Sequence, residues 1–191
     1  MKKSKVNKIK KSIKNSKLKI KSKISHSKSI NKISKKKVFL HTAIFGAGCF
    51  WGVEEAFRTT AGVVSTEVGY AGGTVANATY DGVCSGQTDH AEVVKVIFNS
   101  SKTSYKKLLE IFWRIHDPTQ MNRQGPDVGT QYRSVIFYTN SGQKKDAGNS
   151  MREEQKHRPR TIATVIEKVG LYVKAEDYHQ KYVMKTGKNV C

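Results

Sequence analysis

The stretch of sequence that decides the fold reads Val38-Phe-Leu-His-Thr-Ala-Ile-Phe-Gly-Ala-Gly-Cys-Phe-Trp-Gly52. Its first half, residues 38–45, is a run rich in β-branched and aromatic side chains that stops at a glycine, which is typical of a buried strand. Beyond the glycines, Phe50, Val53 and Phe57 recur at helical spacing. The stretch therefore predicts a strand, a glycine-containing turn and a helix.

Further strand and helix patterns follow this stretch. Residues 64–70 alternate between apolar and polar side chains as a half-exposed strand does, and strands are also predicted over residues 91–98 and 132–138. Ser104 is placed to cap a helix with a wide apolar stripe. The order strand, helix, strand, strand, helix, strand indicates an α+β fold, a ferredoxin-like two-layer sandwich with a mostly antiparallel sheet.

Three extensions and one long loop complete the predicted domain. A polar helix over residues 143–156, a strand over 162–167 and a short helix over 176–184 extend the sandwich. Residues 71–90 are rich in Gly, Thr, Asn and Asp. They are too many for a plain connection, so this loop is a candidate for a functional role.

Most of the positive charge lies at the N-terminus. Residues 1–37 contain sixteen lysines and no acidic residue, so they account for sixteen of the formal net charge of +20. This composition predicts a disordered extension, followed by one catalytic domain over residues 38–191. The remaining +4 gives no indication of specific nucleic-acid binding, although the extension itself keeps that alternative open.

Two interpretations of the extension remain open. Leaders that direct proteins to an organelle are serine-rich and poor in acidic residues, as residues 1–37 are. The same residues could instead be a lysine-rich extension with no targeting function. We therefore expect a cytoplasmic protein, or an organellar one if the extension acts as a leader.

The chain has three cysteines, Cys49, Cys84 and Cys191, an odd number at wide spacing. This usage indicates a reducing compartment rather than a secreted disulfide framework, and no apolar stretch is long enough to span a membrane. The cysteines and histidines lack the spacing of zinc ligands and form no C-x-x-C pair. We expect no metal and no cofactor.

Cys49 lies where the predicted strand gives way to the predicted helix. The positive end of the helix dipole and the unpaired amide N–H groups there favour the thiolate, the reactive form of cysteine. Phe50 and Trp51 add two aromatic faces that could form a pocket for an apolar, polarisable group. The alternative is that a single cysteine and its aromatic neighbours are simply core.

Glu92 is predicted to lie on the more apolar face of its strand. The period of two puts it beside Val94, Val96 and Phe98, whereas Lys95 lies on the other face. Desolvation should then raise the pKa of the carboxyl, which could donate a proton near neutral pH. The alternative is a solvated residue at the start of the strand.

The remaining polar side chains have ordinary alternatives. Tyr80, Asp127 and Tyr132 flank these elements in loops or at strand edges, where each could be a surface or turn residue. Cys84, in the long loop, is predicted to be an inert packing thiol. None of them indicates a function without its neighbours.

A cysteine hydrolase is an alternative function. It would use Cys49 as nucleophile and His90, His116 or His179 as base. However, no Asn or Asp is evidently placed to orient such a base.

Six ordered blocks together resemble the A-type peptide methionine sulfoxide reductases, and the resemblance extends over about residues 38–191. The blocks are Gly46-Ala-Gly-Cys-Phe-Trp-Gly52, Gly69-Tyr-Ala-Gly-Gly73, Val83-Cys-Ser-Gly86, His90-Ala-Glu-Val-Val94, His116-Asp-Pro118 and Gly129-Thr-Gln-Tyr-Arg-Ser134. The sequence departs from the family pattern at Ala78, where a proline is expected, and at Pro126, where a small polar residue is expected.

The resemblance implies a role for each of eight residues. These are a nucleophile, Cys49; a methyl-binding pocket, Phe50 and Trp51; a proton donor, Glu92; two phenols that bind the sulfoxide oxygen, Tyr80 and Tyr132; an arranging carboxylate, Asp127; and a resolving thiol, Cys191, twelve residues after His179.

The resemblance also implies an activity and its partners. Methionine S-sulfoxide, free or in oxidised proteins, would be reduced to methionine, which repairs proteins after oxidative damage. The nucleophile would become a sulfenic acid, and a disulfide with the resolving thiol would be recycled by thioredoxin. We expect a monomer.

Overall fold

The structure is a computed structural model, and it describes residues 39–188. The predicted disordered extension over residues 1–37 and the predicted resolving residue Cys191 lie outside the described residues. Within residues 39–188, none of the helices is long and apolar enough to cross a membrane.

The described chain alternates strands with short helices. In chain order these are β1 (Leu40–Ala47), α1 (Phe50–Arg58), β2 (Val63–Ala71), α2 (Tyr80–Cys84), β3 (Ala91–Asn99), α3 (Tyr105–Arg114), β4 (Arg123–Gln124), β5 (Asp127–Val128), a 3₁₀ turn (Thr130–Tyr132), β6 (Ser134–Tyr138), α4 (Ser141–Gln155), β7 (Val165–Lys168), β8 (Tyr172–Lys174) and α5 (Tyr182–Thr186).

The predicted order of strands and helices is confirmed by β1, α1, β2, β3, α3 and β6. The long loop predicted over residues 71–90 contains one helix, α2, and the strand predicted from residue 132 begins at Ser134 after the 3₁₀ turn. The sequence pattern did not predict β4, β5 or β8. These differences lie in the segments whose apolar periodicity is weakest.

The C-terminal helix α5 begins at Tyr182 and not at residue 176 as predicted, because Lys181 before it has a non-helical conformation. The φ of Lys181 is +54°, in the left-handed region, and its backbone N–H donates to the buried carboxylate of Glu54 at 2.6 Å. The Gln180 side chain accepts from the Val68 N–H and donates to the Val68 carbonyl, each at 2.9 Å. These hydrogen bonds to α1 and β2 take the place of the intrahelical hydrogen bonds that a helix through these residues would form.

A six-stranded sheet forms the centre of this mixed α/β fold. Its strand order is β7-β6-β1-β3-β2-β8, and all neighbouring pairs are antiparallel except β6 and β7. In its register, Phe45 of β1 lies opposite Val94 of β3, and Tyr70 of β2 lies opposite Glu92 of β3. The central strand β3 therefore brings Glu92 next to the end of β1.

Helices α1 and α3 pack on one face of the sheet around Phe45. The ring of Phe45 stacks on Phe57 of α1 at 5.0 Å and on Phe112 of α3 at 5.4 Å, and all three rings are fully buried. Burial of each such ring stabilises the fold by about 1.5–3 kcal/mol. This packing fixes α1, and with it the N-terminus of the helix, against the sheet.

Candidate active site

The turn between β1 and α1 places Cys49 at the N-cap of α1. A Cβ on Gly46 would lie 2.7 Å from Val135, and Gly48 has a φ of +93°, a conformation that favours glycine. A Cβ on Gly48 would also lie 2.7 Å from the Gln124 side chain. Both glycines are therefore needed for the turn that sets the half-buried thiol before the first turn of the helix.

A pocket of about 290 Å³ opens beside Cys49. The side chains that line it are Cys49, Phe50, Trp51, Tyr80, Glu92, Pro126, Asp127 and Tyr132. They come from α1, α2, β3, the β4–β5 hairpin and the 3₁₀ turn. The structure thus brings together the seven predicted site residues that lie within residues 39–188.

Glu92 is the buried carboxyl of this pocket. It is 2% exposed and lies on the helix-covered face of β3, as the alternation of the strand predicts. Its Oε2 accepts a hydrogen bond of 2.9 Å from the backbone N–H of Phe50. Burial raises its pKa to about 8, the negative charge of Asp127 adds to this shift, and the Phe50 N–H opposes it. The carboxyl is therefore mostly protonated at neutral pH.

Two phenols line the pocket with Glu92. Burial raises the pKa of Tyr80 and of Tyr132 well above that of a free tyrosine. Hydrogen bonding to Cys84 contributes at Tyr80, and the charge of Glu92 contributes at Tyr132. Both hydroxyl groups consequently remain protonated at neutral pH and can donate hydrogen bonds.

Asp127 lies on the hairpin that closes one side of the pocket. It begins β5 and pairs with Gln124 across the hairpin, and its side chain is half-buried. The amide of Gln124 accepts from the Asp117 backbone N–H at 3.1 Å and donates to the Asp117 carbonyl at 3.0 Å. This side-chain anchor fixes the hairpin, and Asp127 with it, near Cys49.

Trp51 forms an aromatic wall of the pocket and is held on two sides. Its indole N–H donates to Nδ1 of His179 at 3.0 Å, and its ring stacks on Tyr182 at 3.9 Å with planes 9° apart. Sequence reasoning missed both supports, because it considered His179 only as a possible base. The available signal was the cluster of aromatic rings at Tyr178, His179 and Tyr182.

The three histidines considered for a hydrolase have other partners. His90 accepts from the Gly73 N–H at 3.1 Å, and His116 contacts the Ser134 hydroxyl at 2.7 Å. His179 accepts from Trp51. None of them is among the side chains that line the pocket. The arrangement therefore gives Cys49 acidic and phenolic neighbours rather than a histidine base.

The structure contradicts the prediction that Cys84 is a packing thiol. It is exposed at the end of α2, one helical turn after Tyr80, and it hydrogen bonds with the Tyr80 hydroxyl. Partial desolvation of its sulfur raises its pKa, and the Tyr80 hydroxyl opposes this shift. Prediction from sequence failed here because the course of α2 depends on tertiary contacts.

A metal site would need several His, Cys, Asp or Glu side chains close together. Across residues 39–188, no three His, Cys, Asp or Glu side chains are grouped so that they could hold a metal ion. The expectation that the chain needs no metal stays a prediction.

The chain is similar to methionine sulfoxide reductases in sequence and in structure. The family model described as peptide methionine sulfoxide reductase matches residues 41–191. The peptide methionine sulfoxide reductase MsrA of Methanothermobacter thermautotrophicus is 55% identical over 152 residues, which are 78% of this chain and 89% of that protein.

Two solved structures of Mxr1 from Saccharomyces cerevisiae share the fold. The crystal structure of its reduced form superposes with a TM-score of 0.76 at 36% identity, over 82% of this chain and 93% of that one. Mxr1 in complex with Trx2 gives a TM-score of 0.55 at 28% identity, over 75% of this chain and 84% of that one. The match of the family model to almost the whole described chain, and the identity to MsrA, show that this oxidoreductase belongs to the A-type peptide methionine sulfoxide reductase family.

Proposed function

We propose that the protein reduces methionine S-sulfoxide, free and in proteins, to methionine, with Cys49 as nucleophile and Glu92 as proton donor. The observation that carries the proposal is that Cys49 shares one pocket with a buried carboxyl whose pKa is raised to about 8. A sulfoxide oxygen is a poor leaving group unless it is protonated, and Glu92 holds a proton at neutral pH. Relatives named as peptide methionine sulfoxide reductases support this reaction.

In the first step the thiolate of Cys49 attacks the sulfur of the sulfoxide. A bond forms between the two sulfur atoms as Glu92 gives its proton to the oxygen. The hydroxyl group then passes from the methionine sulfur to the Cys49 sulfur as the bond between the sulfur atoms breaks. The methionine sulfur gains two electrons and the Cys49 sulfur loses two. Methionine leaves, and Cys49 remains as a sulfenic acid.

The two phenols and Asp127 assist this step. Tyr80 and Tyr132 are protonated and line the pocket with Glu92, so they can donate to the sulfoxide oxygen as negative charge develops on it. Asp127 adds a negative charge that helps to keep Glu92 protonated. Each group thus favours transfer of a proton to oxygen.

Phe50 and Trp51 bind the methyl group of the substrate. Phe50 is almost fully buried, and the indole of Trp51 lines the same pocket. Sulfur-bound methyl groups make favourable contacts with aromatic rings. Because a sulfoxide sulfur is chiral, fixing both its methyl and its oxygen selects one epimer, which we propose to be the S form.

In the second step Cys191 attacks the Cys49 sulfur and water leaves, which gives a Cys49–Cys191 disulfide. An external dithiol must then supply two electrons and two protons. We propose that the dithiol is thioredoxin, since the similar protein Mxr1 has been crystallised in complex with Trx2. Cys191 lies outside the described residues, so this pairing depends on the family match through residue 191.

Mass spectrometry after one equivalent of methionine sulfoxide tests the proposal. The wild-type protein should release one methionine per chain and contain a disulfide that links Cys49 with Cys191. Cys49→Ser should release none, and Cys191→Ser should release one methionine but stop without thioredoxin-dependent turnover. Cys84→Ser is the matched control, which should keep both methionine release and the disulfide. Continued turnover by Cys191→Ser with thioredoxin would refute the role of Cys191.

Three broader expectations are part of the proposal. The β6-β1-β3-β2 order and its antiparallel pairing support the ferredoxin-like description of the central sheet. We propose one catalytic domain over residues 38–191 that acts as a cytoplasmic monomer, with residues 1–37 as a disordered extension. A fluorescent protein fused to residues 1–40 tests the alternative of an organelle leader, and a diffuse cytosolic signal would exclude it.

A further inference from the structure

The side chain of His179 is buried, and the proposed reaction assigns no role to it. It is 1% exposed, and its Nδ1 accepts the indole N–H of Trp51 at 3.0 Å. Its Nε2 therefore carries the hydrogen, and this atom has no hydrogen-bond partner among residues 39–188. A buried polar atom without a partner costs free energy, so a role in packing alone would be served as well by an apolar ring.

The imidazole ring contacts three side chains that line the pocket. Its centroid lies 4.6 Å from the ring of Tyr80, 5.1 Å from that of Phe50 and 5.5 Å from that of Trp51. His179 itself is not among the lining residues. It therefore packs behind the side chains that form the pocket wall.

The segment that carries His179 is itself fixed to the body. Glu176 accepts from the Tyr70 hydroxyl at 2.8 Å and from the Tyr80 backbone N–H at 2.9 Å. On the other side of His179, Gln180 makes its two bonds to Val68. The chain on both sides of His179 is thus held by bonds that do not involve Trp51.

We infer that His179 is a positioning residue, which fixes the indole of Trp51 so that the methyl-binding wall is formed before the substrate arrives. The inference rests on the proposed function. Stacking on Tyr182 restricts the plane of the indole, but it leaves rotation and sliding within that plane open. The hydrogen bond to Nδ1 removes this freedom and selects one orientation.

Two substitutions of His179 separate hydrogen bonding from packing. His179→Phe keeps an aromatic ring but offers no acceptor, whereas His179→Asn keeps an acceptor oxygen near the position of Nδ1 and loses most of the ring. Because a buried indole N–H is left unpaired in His179→Phe, we expect its KM for a peptide sulfoxide to rise about tenfold. We expect kcat to change less than threefold, and the KM of His179→Asn to stay within about threefold of wild type.

Trp51 fluorescence gives a second readout that does not depend on turnover. In a Trp113→Phe background Trp51 is the only tryptophan. His179→Phe should shift its emission maximum and increase its quenching by acrylamide, while His179→Asn should keep both near the wild-type values. If His179→Phe does not fold, His179→Leu takes its place, since leucine also lacks an acceptor.

Two results would overturn the inference. One is a His179→Phe protein with wild-type KM and fluorescence, and the other is an equal loss in the Phe and Asn variants, which would mean that only packing matters. A wild-type protein that releases no methionine would instead refute the proposed function. The fluorescence comparison would still test the link between His179 and Trp51 in that case.

Discussion

The carboxyl oxygen of Glu92 lies 2.9 Å from the backbone nitrogen of Phe50, the first residue of the helix that Cys49 caps. The N-terminus of one helix therefore lies beside two groups that the proposed reaction uses in different charge states, a negatively charged thiolate and a neutral carboxyl. Its N–H groups favour the thiolate at Cys49, whereas burial outweighs the bond from Phe50 at Glu92 and keeps that carboxyl protonated. A nucleophile and an acid can coexist in one pocket at neutral pH for this reason.

Methionine release should depend on the protonation of Glu92. Because the pKa of Glu92 is about 8, the acid is present below pH 8 and is lost above it. We expect the single-turnover rate of methionine release to fall about tenfold per pH unit above 8. Glu92→Gln should be slower by about 10²–10⁴-fold at pH 7 and lose this alkaline decline.

Alkylation of Cys49 by iodoacetamide provides the control for this pH profile, since it needs the thiolate but no acid. Its rate should not decline above pH 8. A Glu92→Gln protein that kept both the wild-type rate and the alkaline decline would exclude Glu92 as the donor.

The buried Glu92 should also make the stability of the fold decrease as pH rises from acidic to slightly alkaline values. The folded pKa of about 8 exceeds the ordinary value of 4.5, so between these values the folded protein holds a proton that the unfolded chain has released. Stability should consequently decline as pH rises from 4.5 to 8. Relative to wild type, Glu92→Gln should gain roughly 4 kcal/mol of unfolding free energy over this range, measured by urea denaturation. A constant difference between the two proteins would contradict the raised pKa.

Removal of either phenol hydroxyl should slow methionine release. Tyr80→Phe and Tyr132→Phe each take one donor from the pocket, and loss of one donor to a developing negative charge typically costs about a hundredfold. The matched control is Tyr138→Phe, because Tyr138 is a half-buried residue of β6 that does not line the pocket. If the control were slowed as much as the two variants, the effect would not be specific to the pocket.

The turn before Cys49 should tolerate no side chain at residue 48. Gly48→Ala imposes both a left-handed φ and a contact with Gln124, whose amide is held by Asp117. We expect a loss of about 3 kcal/mol in unfolding free energy and slower methionine release. Gly86→Ala is the control, because Gly86 has a φ of +74° but nothing within 4 Å of an added Cβ. It should lose only about 1 kcal/mol of unfolding free energy. Equal losses in the two variants would show that the contact with Gln124 does not contribute.

Local sequence patterns indicated Cys49 and Glu92 as candidates, and the family resemblance decided between a buried acid and a solvated residue at Glu92. Cys49 follows a strand and two glycines, and the alternation of one strand places Glu92 on its apolar face, so both positions depend on neighbours in sequence. The pairing of Tyr70 with Glu92 and the hairpin that carries Asp127 depend on contacts between distant segments. Tyr80 and Asp127 therefore entered the prediction through the family resemblance alone.

The C-terminal segment could not be predicted because its conformation depends on distant partners. A short helix is predicted over residues 176–184, but the carboxylate of Glu54, 127 residues earlier, accepts the Lys181 N–H, and the helix begins only at Tyr182. The same segment brings His179 to Trp51 across 128 residues. Single-sequence patterns contain no signal for such pairs, so the support behind the pocket became visible only in the structure.

Acid should destabilise the protein through His116. In the neutral ring, Nδ1–H donates to the Phe112 carbonyl at 2.7 Å and Nε2 accepts from the Ser134 hydroxyl at 2.7 Å. Burial lowers its pKa to about 4, so between pH 6.5 and 4 the unfolded chain binds a proton that the folded protein excludes. Stability is therefore lost as pH falls through 6.5, by up to roughly 3 kcal/mol at pH 4.

Urea denaturation at each pH tests this prediction. His116→Asn should be less stable than wild type at pH 7 but lose less stability on acidification. His41→Asn, at an exposed histidine, should follow the wild-type profile. If His116→Asn and wild type lost equal stability between pH 7 and 4, protonation of this buried ring would not contribute to acid unfolding.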